Sequence, residues 1–158
     1  MGSVKERTLI LIKPDAIQRG LVGEIVSRFE KKGLKLVATK MMALDEAVLR
    51  EHYAHIADKP FFPGVAKFMQ SSPVIAMCWE GLDVVDTVRR ITGITKAREA
   101  EAGSIRGDLA MSVGCNVIHA SDGIEAAQSE VKRFFKVDEI FEYDKSEYLH
   151  VYAEDERA

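Results

Sequence analysis

"TLILIKPD" (residues 8–15) decides how the chain is organised. Four apolar residues, Leu9 to Ile12, run without the alternation of a half-exposed strand and stop at Lys-Pro-Asp. So short a run, ended by proline, reads as a central strand covered on both faces. Outward from it, Leu21, Val22, Ile25, Val26 and Phe29 recur at helical spacing, and Gly33 is a natural stop. "LKLVATKMMAL" (34–44) then reads as a strand. "DEAVLREHYAHI" (45–56) reads as a helix with an Asp cap, and "KPFFPGVAKFM" (59–69) as a turn leading into a helical turn. "PVIAMCWE" (73–80) is the next strand, with proline at its tolerated first position. "LDVVDTVRRIT" (82–92) is an amphipathic helix ending at Gly93, followed by a loop to about Gly114. "CNVIHA" (115–120) is short and apolar enough for a last central strand. A helix is then expected from Asp122 as N-cap, with Glu125 completing a capping-box variant and Ile124, Ala127, Val131, Phe134 and Phe135 as its buried stripe. The tail is polar, with "YLHVY" (148–152) expected to be extended and "AEDERA" (153–158) frayed.

Stripped of extra helices, this order is βαββαβ, the split βαβ arrangement. The expected fold is therefore α+β and ferredoxin-like: a four-stranded antiparallel sheet with helices on its surface. One domain over residues 1–158 is expected, with 145–158 as a C-terminal tail.

Composition narrows the functional classes. The 158 residues are 47% hydrophobic, enough for a core without disulfides or metal. A net charge of −3 carries no global bias toward nucleic acid and no bulk acidity suggesting disorder, although a local basic cleft is compatible with it. Cys78 and Cys115 form no CxxC pair, and with four scattered histidines they give no zinc spacing. A reduced, cytosolic protein is expected. No run approaches the roughly 20 apolar residues of a membrane span, the first apolar run is too short for a signal peptide, and Glu6 rules out the myristoylation pattern that "MGS" suggests. Neither GxxxxGK[ST] nor a GxGxxG after a strand occurs, so nucleotide handling would need another device.

"NVIHASDG" (116–123) is that candidate device. His119 falls at a strand end, just before a helix N-terminus whose N–H groups favour negative charge. Down that helix, Glu130 lies about 40° beyond Phe134, at the border of the apolar stripe. A carboxylate there wants a partner. If it held one ring nitrogen of His119, the tautomer would be fixed and the other nitrogen left free as a nucleophile. Read alone, the histidine is more often a satisfied core residue.

Five co-linear stretches overturn that reading. "IKPDAIQRGLVGEI", "HYAHIADKPFFPG", "SSPVIAMCWEG", "SIRGD" and "NVIHASD" together resemble the nucleoside diphosphate kinase family, from about Arg7 to about Tyr143. Asn116, His119, Ser121 and Asp122 meet the family signature Asn-x-x-His-x-Ser-Asp in full. The resemblance implies ping-pong transfer of the γ-phosphate of a nucleoside triphosphate to a nucleoside diphosphate, through a phosphohistidine. It makes His119 that histidine, with Ser121 and Glu130 holding and polarising it and Tyr53 as the nearby tyrosine. Lys13 would contact the ribose 3′-hydroxyl and the phosphate end, with Asn116 beside it. Arg89, Thr95 and Arg106 match phosphate-binding positions, and His55 a further phosphate contact. Positive donors around a spread negative charge supply most of the catalysis in phosphoryl transfer. Only the alignment selects Arg89 over Arg90.

Phe61 matches the aromatic that stacks on the base, with Val113 on the opposite face. Every base has a π-face, and no side chain is evidently placed to read a base edge, so broad base tolerance is expected. Mg²⁺ is implied as the partner of ATP rather than by a protein cage, with Asp122 touching its water shell. The resemblance also implies a homo-oligomer, a hexamer in preference to a tetramer, with ATP and nucleoside diphosphates as ligands. No membrane contact or dedicated nucleic-acid site is expected. The rival class is a non-enzymic ferredoxin-like regulatory or nucleic-acid-binding module; phosphate donation from the histidine to other proteins would be an addition to exchange.

The chain departs from the family's pattern in one loop. "TKAREAEAG" (95–103) has Ala97 and Ala102 where prolines are expected, and residues 96–102 are good helix formers. The family uses this loop in subunit contacts, so assembly is what the change touches. Ala120 stands where glycine commonly follows the histidine.

Overall fold

The computed structural model describes residues 4–157. In chain order the elements are β1 (Lys5–Ile12), α1 (Pro14–Gln18), α2 (Val22–Lys32), β2 (Lys35–Met42), α3 (Glu46–His52), α4 (Phe62–Met69), β3 (Val74–Leu82), α5 (Val84–Thr92), α6 (Ile105–Leu109), β4 (Ile118–Ala120), α7 (Ile124–Phe134) and α8 (Tyr148–Val151), with single 3₁₀ turns at Ala97–Glu99, Val137–Glu139 and Glu154–Glu156. The strands form one antiparallel sheet in the order β2-β3-β1-β4, the expected split βαβ arrangement.

β1 is central, hydrogen-bonded to β3 on one side and β4 on the other. Its apolar run divides by the pleat. Ile10 and Ile12 face α2 and α5, packing with Ile25, Phe29, Met77, Trp79, Val84 and Val88. Leu9 and Leu11 face α3, α4 and α7, packing with Leu49, Phe62, Met69, Val131 and Phe134. All four side chains are fully buried, which is why the sequence does not alternate there.

Several helix ends follow their sequence signals. Gly33 closes α2 at φ 99°, and its N–H reaches the Glu30 carbonyl. Asp45 caps α3, its carboxylate accepting from the Val48 N–H at 2.8 Å. The start of α7 does not. The chain stays extended through Gly123, helix begins at Ile124, and Gly123 rather than Asp122 occupies the N-cap. The Asp122 carboxylate is turned to Arg89 instead. Ile124 then falls outside the buried stripe and is 54% exposed.

The C-terminal residues also differ from expectation. "YLHVY" is not extended: α8 places Tyr148 and Tyr152 one turn apart with their rings edge to face at 5.3 Å. The Tyr152 hydroxyl accepts from the Leu82 N–H at 3.1 Å. Val151 packs so closely on Gly33 that a Cβ there would lie 2.7 Å from it. Within the stretch expected to fray, residues 154–156 form a 3₁₀ turn; Ala158, like the "MGS" start, lies outside the described residues.

Candidate active site

β4 lies antiparallel to β1 with His119 opposite Leu11, so His119 shares the face covered by α3, α4 and α7. β4 is only three residues long because the chain before it turns sharply. Val117 has φ 65°, and the Ile118 N–H bonds the Asn116 carbonyl at 2.8 Å. This is a γ-turn with a β-branched residue in the left-handed region, a strained conformation. It is held from both sides. The Val117 N–H donates to Asp15 Oδ2 at 3.1 Å, and its carbonyl accepts from the Lys13 N–H at 2.9 Å.

His119 Nε2 is hydrogen-bonded to Glu130 Oε1, on α7. Glu130 is 7% exposed, so the carboxylate borders the apolar stripe as its wheel position requires. The pairing leaves Nδ1 as the nitrogen with an uncommitted lone pair. Ser121 is placed otherwise than expected. It is fully buried, and its hydroxyl is bonded to the backbone of Leu9, at 3.3 Å from the N–H and 3.4 Å from the carbonyl, not to His119 or Glu130. These contacts tie the end of β4 to β1.

A cleft of about 1090 Å³ opens over His119. Lys13, Tyr53, His55, Phe61, Arg89, Thr95, Arg106, Val113 and Asn116 line it together with His119, Glu130 and Asp122, so apart from Ser121 the expected residues converge. Arg89 is half-buried and lines the cleft; Arg90 is exposed. The Arg106 guanidinium is buried and bonded to three carbonyls, Asn116 (3.3 Å), Gly93 (3.0 Å) and Ile118 (2.6 Å). That uses three of the five N–H donors of an arginine and leaves the others for the cleft. Lys13 Nζ donates to Asn116 Oδ1 at 2.7 Å, and Asn116 Nδ2 to the Thr95 carbonyl at 3.2 Å. Burial, then the Arg106 charge, pulls the Lys13 amine down to about 8. Burial, then Arg89, pulls Arg106 down to about 10. These cations crowd together and would be relieved by an anion. At the mouth, Phe61 and Val113 expose apolar surface to the opening.

His52 is a residue that the sequence reading passed over. It is buried at the end of α3, its ring edge-on to His119 with centroids 4.5 Å apart, and its Nδ1 lies 3.0 Å from Arg133 Nη1. Burial first, then the electrostatic effect of the neighbouring His119 ring, pushes it down to about 2, so it is neutral. Leu49 and His52 stand three apart on the buried face of α3, the spacing that could have flagged it. Tyr53 beside it is driven up to about 12 by burial and then by Glu130, which keeps the phenol protonated.

The donor set bears on magnesium. His52, His119 and Glu130 cluster within 4.8 Å, but two of the three ligand atoms are nitrogen, unsuited to a cation that takes oxygen ligands. Asp122 is exposed at the rim and bonded to Arg89. Such residues fit a magnesium ion carried on nucleotide phosphates, not one held in a protein cage.

A four-stranded α+β fold with an imidazole, backed by a buried carboxylate, on the floor of a cationic cleft defines a class: a phosphotransferase working through small phosphorylated ligands. The family model described as nucleoside diphosphate kinase matches residues 6–140. The nucleoside diphosphate kinase of Parabacteroides distasonis is 53% identical over 151 residues, covering 96% of this chain and 99% of that protein. Nucleoside diphosphate kinase A2 of Xenopus laevis is 48% identical over 152 residues, 96% of this chain and 99% of its own length. Among solved structures, a halophilic nucleoside diphosphate kinase from Halobacterium salinarum in complex with CDP superimposes with a TM-score of 0.92 at 46% identity, covering 95% of this chain and all of that one. The chain belongs to the nucleoside diphosphate kinase family, and its activity is phosphate transfer between nucleotides.

Proposed function

We propose that the chain carries the γ-phosphate of a nucleoside triphosphate to a nucleoside diphosphate by a ping-pong route, with His119 Nδ1 as the phosphate carrier. The observation behind this is the His119–Glu130 pair on the floor of a cationic cleft. Glu130 fixes the tautomer and orientation of the ring and stabilises the charge it gains when Nδ1 attacks. Lys13, Arg89 and Arg106 balance the charge spread over the transferring group, with Thr95, Asn116 and His55 at the phosphate chain. Magnesium brought with ATP would neutralise phosphate charge, and Asp122 is the carboxylate that would hold it through water. Tyr53 borders the imidazole. Ser121 acts through the β4 backbone.

Phe61 and Val113 would hold the base between them. Stacking carries no base code, so adenine, guanine and pyrimidine nucleotides should all serve. We further propose that residues 1–158 act as one domain, with 145–158 as its tail, in the cytoplasm and as a homo-oligomer, a hexamer in preference to a tetramer. Among the described residues no helix is long and apolar enough to cross a membrane.

The test is phosphoenzyme formation. Protein mixed with γ-labelled ATP should acquire acid-labile label on His119. His119→Ala should abolish it while nucleotide binding survives, and Glu130→Gln should slow it without abolishing it. Undiminished labelling of the His119→Ala protein would sink the assignment.

A further inference from the structure

We infer that Lys13 is a modification site within the cleft, where an acyl phosphate transfers its acyl group to the amine and so closes the cleft to nucleotides. The inference rests on the reading of the cleft as a phosphate site, and it concerns a different atom and a different bond from nucleotide exchange.

Placement comes first. Lys13 follows β1, its backbone N–H and carbonyl tied to Val117 and to the first turn of α1, so the side chain leaves from a fixed point. Nζ is anchored on Asn116 Oδ1 and lines the cleft. Among the described residues, no carboxylate comes within 4.0 Å of it. The groups that act on it are Arg106 from α6, Asp15 from α1 and Cys115 from the loop before β4, with burial the largest influence. An amine in this setting is held down to about 8, so a usable fraction is free base near neutrality.

Delivery comes second. The cations that would cradle the phosphates of a nucleotide, Arg89 and Arg106, line the same cleft as Nζ. They would hold the phosphate end of any small acyl phosphate equally well, setting its acyl carbon beside the amine. The neutral amine's lone pair attacks the acyl carbon and the C–O bond to phosphate breaks. Inorganic phosphate leaves with that electron pair, and the nitrogen gives up a proton to form a neutral amide. The cleft thereby loses one positive charge and gains bulk. No oxidant or further reactant is needed.

The size of the effect follows from the amine's basicity. At about pH 7.5, roughly a quarter of an amine with pKa 8 is free base, against about one part in a thousand for an ordinary lysine near 10.4. Lower basicity takes back about a factor of ten in intrinsic nucleophilicity, by analogy with the Brønsted behaviour of thiolates. Roughly tenfold faster acylation than at an exposed lysine remains before any gain from phosphate binding.

The experiment uses nucleotide-free protein, acetyl phosphate, and peptide mass spectrometry over time. Lys13 is compared with Lys59 and Lys67, which are exposed and outside the cleft. Parallel samples carry magnesium-ADP, or p-nitrophenyl acetate as an acyl donor without phosphate, and one aliquot receives labelled ATP. We expect acetyl on Lys13 at least tenfold faster than on Lys59 or Lys67, suppression by magnesium-ADP, and a smaller preference with the uncharged ester. Equal rates at the three lysines overturn the proposal, as does a Lys13 preference that magnesium-ADP leaves intact or that the ester reproduces in full. Phosphate on His119 from ATP with Lys13 unmodified by acetyl phosphate overturns this inference and leaves the proposed function standing. Acetyl on Lys13 with no labelling by ATP does the reverse.

Discussion

Gly107 is the position in the site's frame where one methyl group should do most damage. It lies in α6, next to Arg106, where the chain doubles back on the segment 101–104. A Cβ there would lie 1.9 Å from the Glu101 carbonyl oxygen and 2.6 Å from its carbon. Both are backbone atoms, so no side chain can rotate away. To relieve the contact α6 must move by more than an ångström. That strains the Gly107 N–H bond to Ser104 Oγ (3.0 Å), the Ser104 hydroxyl bond to the Glu101 carbonyl (2.6 Å) and the Gly103 N–H bond to Asp108 (2.8 Å). Overpacking costs about 1–3 kcal/mol, and each weakened hydrogen bond about 1 kcal/mol. Gly107→Ala should therefore destabilise the fold by about 4–6 kcal/mol. Arg106 moves with the helix, so the nucleotide KM should rise about tenfold, equivalent to roughly 1.4 kcal/mol of lost binding. Gly23→Ala is the internal comparison: at that site, inside α2, the added Cβ meets nothing among the described residues within 4 Å beyond its chain neighbours and its own helix backbone. It should stabilise by up to about 1 kcal/mol through helix propensity. Urea denaturation of both variants and steady-state exchange kinetics give the two numbers. A Gly107→Ala protein within about 0.5 kcal/mol of the parent, or one with unchanged KM, would refute the reasoning.

Three further expectations concern other parts of the chain. Ala97→Pro should raise the melting temperature by about 1–4 °C, since among the described residues no backbone carbonyl takes the Ala97 N–H and Lys96 (φ −77°, ψ 88°) is not helical; lower stability in thermal melts would mean that the buried ring is not accommodated. Lys13→Met should raise stability at neutral pH. Lys13 sits near 8 when folded against about 10.4 unfolded, so the unfolded chain binds more protons between those values and the parent gains stability as pH rises through that window. The gap between variant and parent in melts at about pH 7, 9 and 10.5 should accordingly narrow, and a constant gap counts against it. Tyr152→Phe removes the acceptor of the Leu82 N–H and should cost about 0.5–1.5 kcal/mol, with faster amide exchange at Leu82 as the direct readout.

The sheet was legible because its strands differ in kind. β1 and β3 are buried on both faces and read as apolar runs, and the helices between them show their stripes. The ends were less legible. Asp122 looked like an N-cap because the residue type and the Glu125 spacing fit. A cap needs its backbone next to the first turn, and one further extended residue, Gly123, put the carboxylate within reach of Arg89 instead. "YLHVY" alternates like a strand, but a helical turn brings its two tyrosine rings edge to face and sets the Tyr152 hydroxyl on the Leu82 N–H. In the candidate site, His119, Glu130 and the cations follow from strand ends and helix wheels once the family resemblance aligns them. Ser121 and His52 do not: what each touches is set by neighbours, Leu9 and Arg133, more than 80 residues away along the chain.

The turn at Val117 has a consequence for how this protein can change. A β-branched residue held at φ 65° stores about 1–3 kcal/mol, and it sits directly between Asn116 and the strand that carries His119. Substitutions that relax it are among the easiest ways to gain heat tolerance, and each would let the imidazole drift relative to its carboxylate. In a laboratory lineage selected for survival at high temperature, this is where robustness and turnover would be expected to separate; a lineage selected for turnover should leave the valine's neighbourhood untouched and find its stability elsewhere.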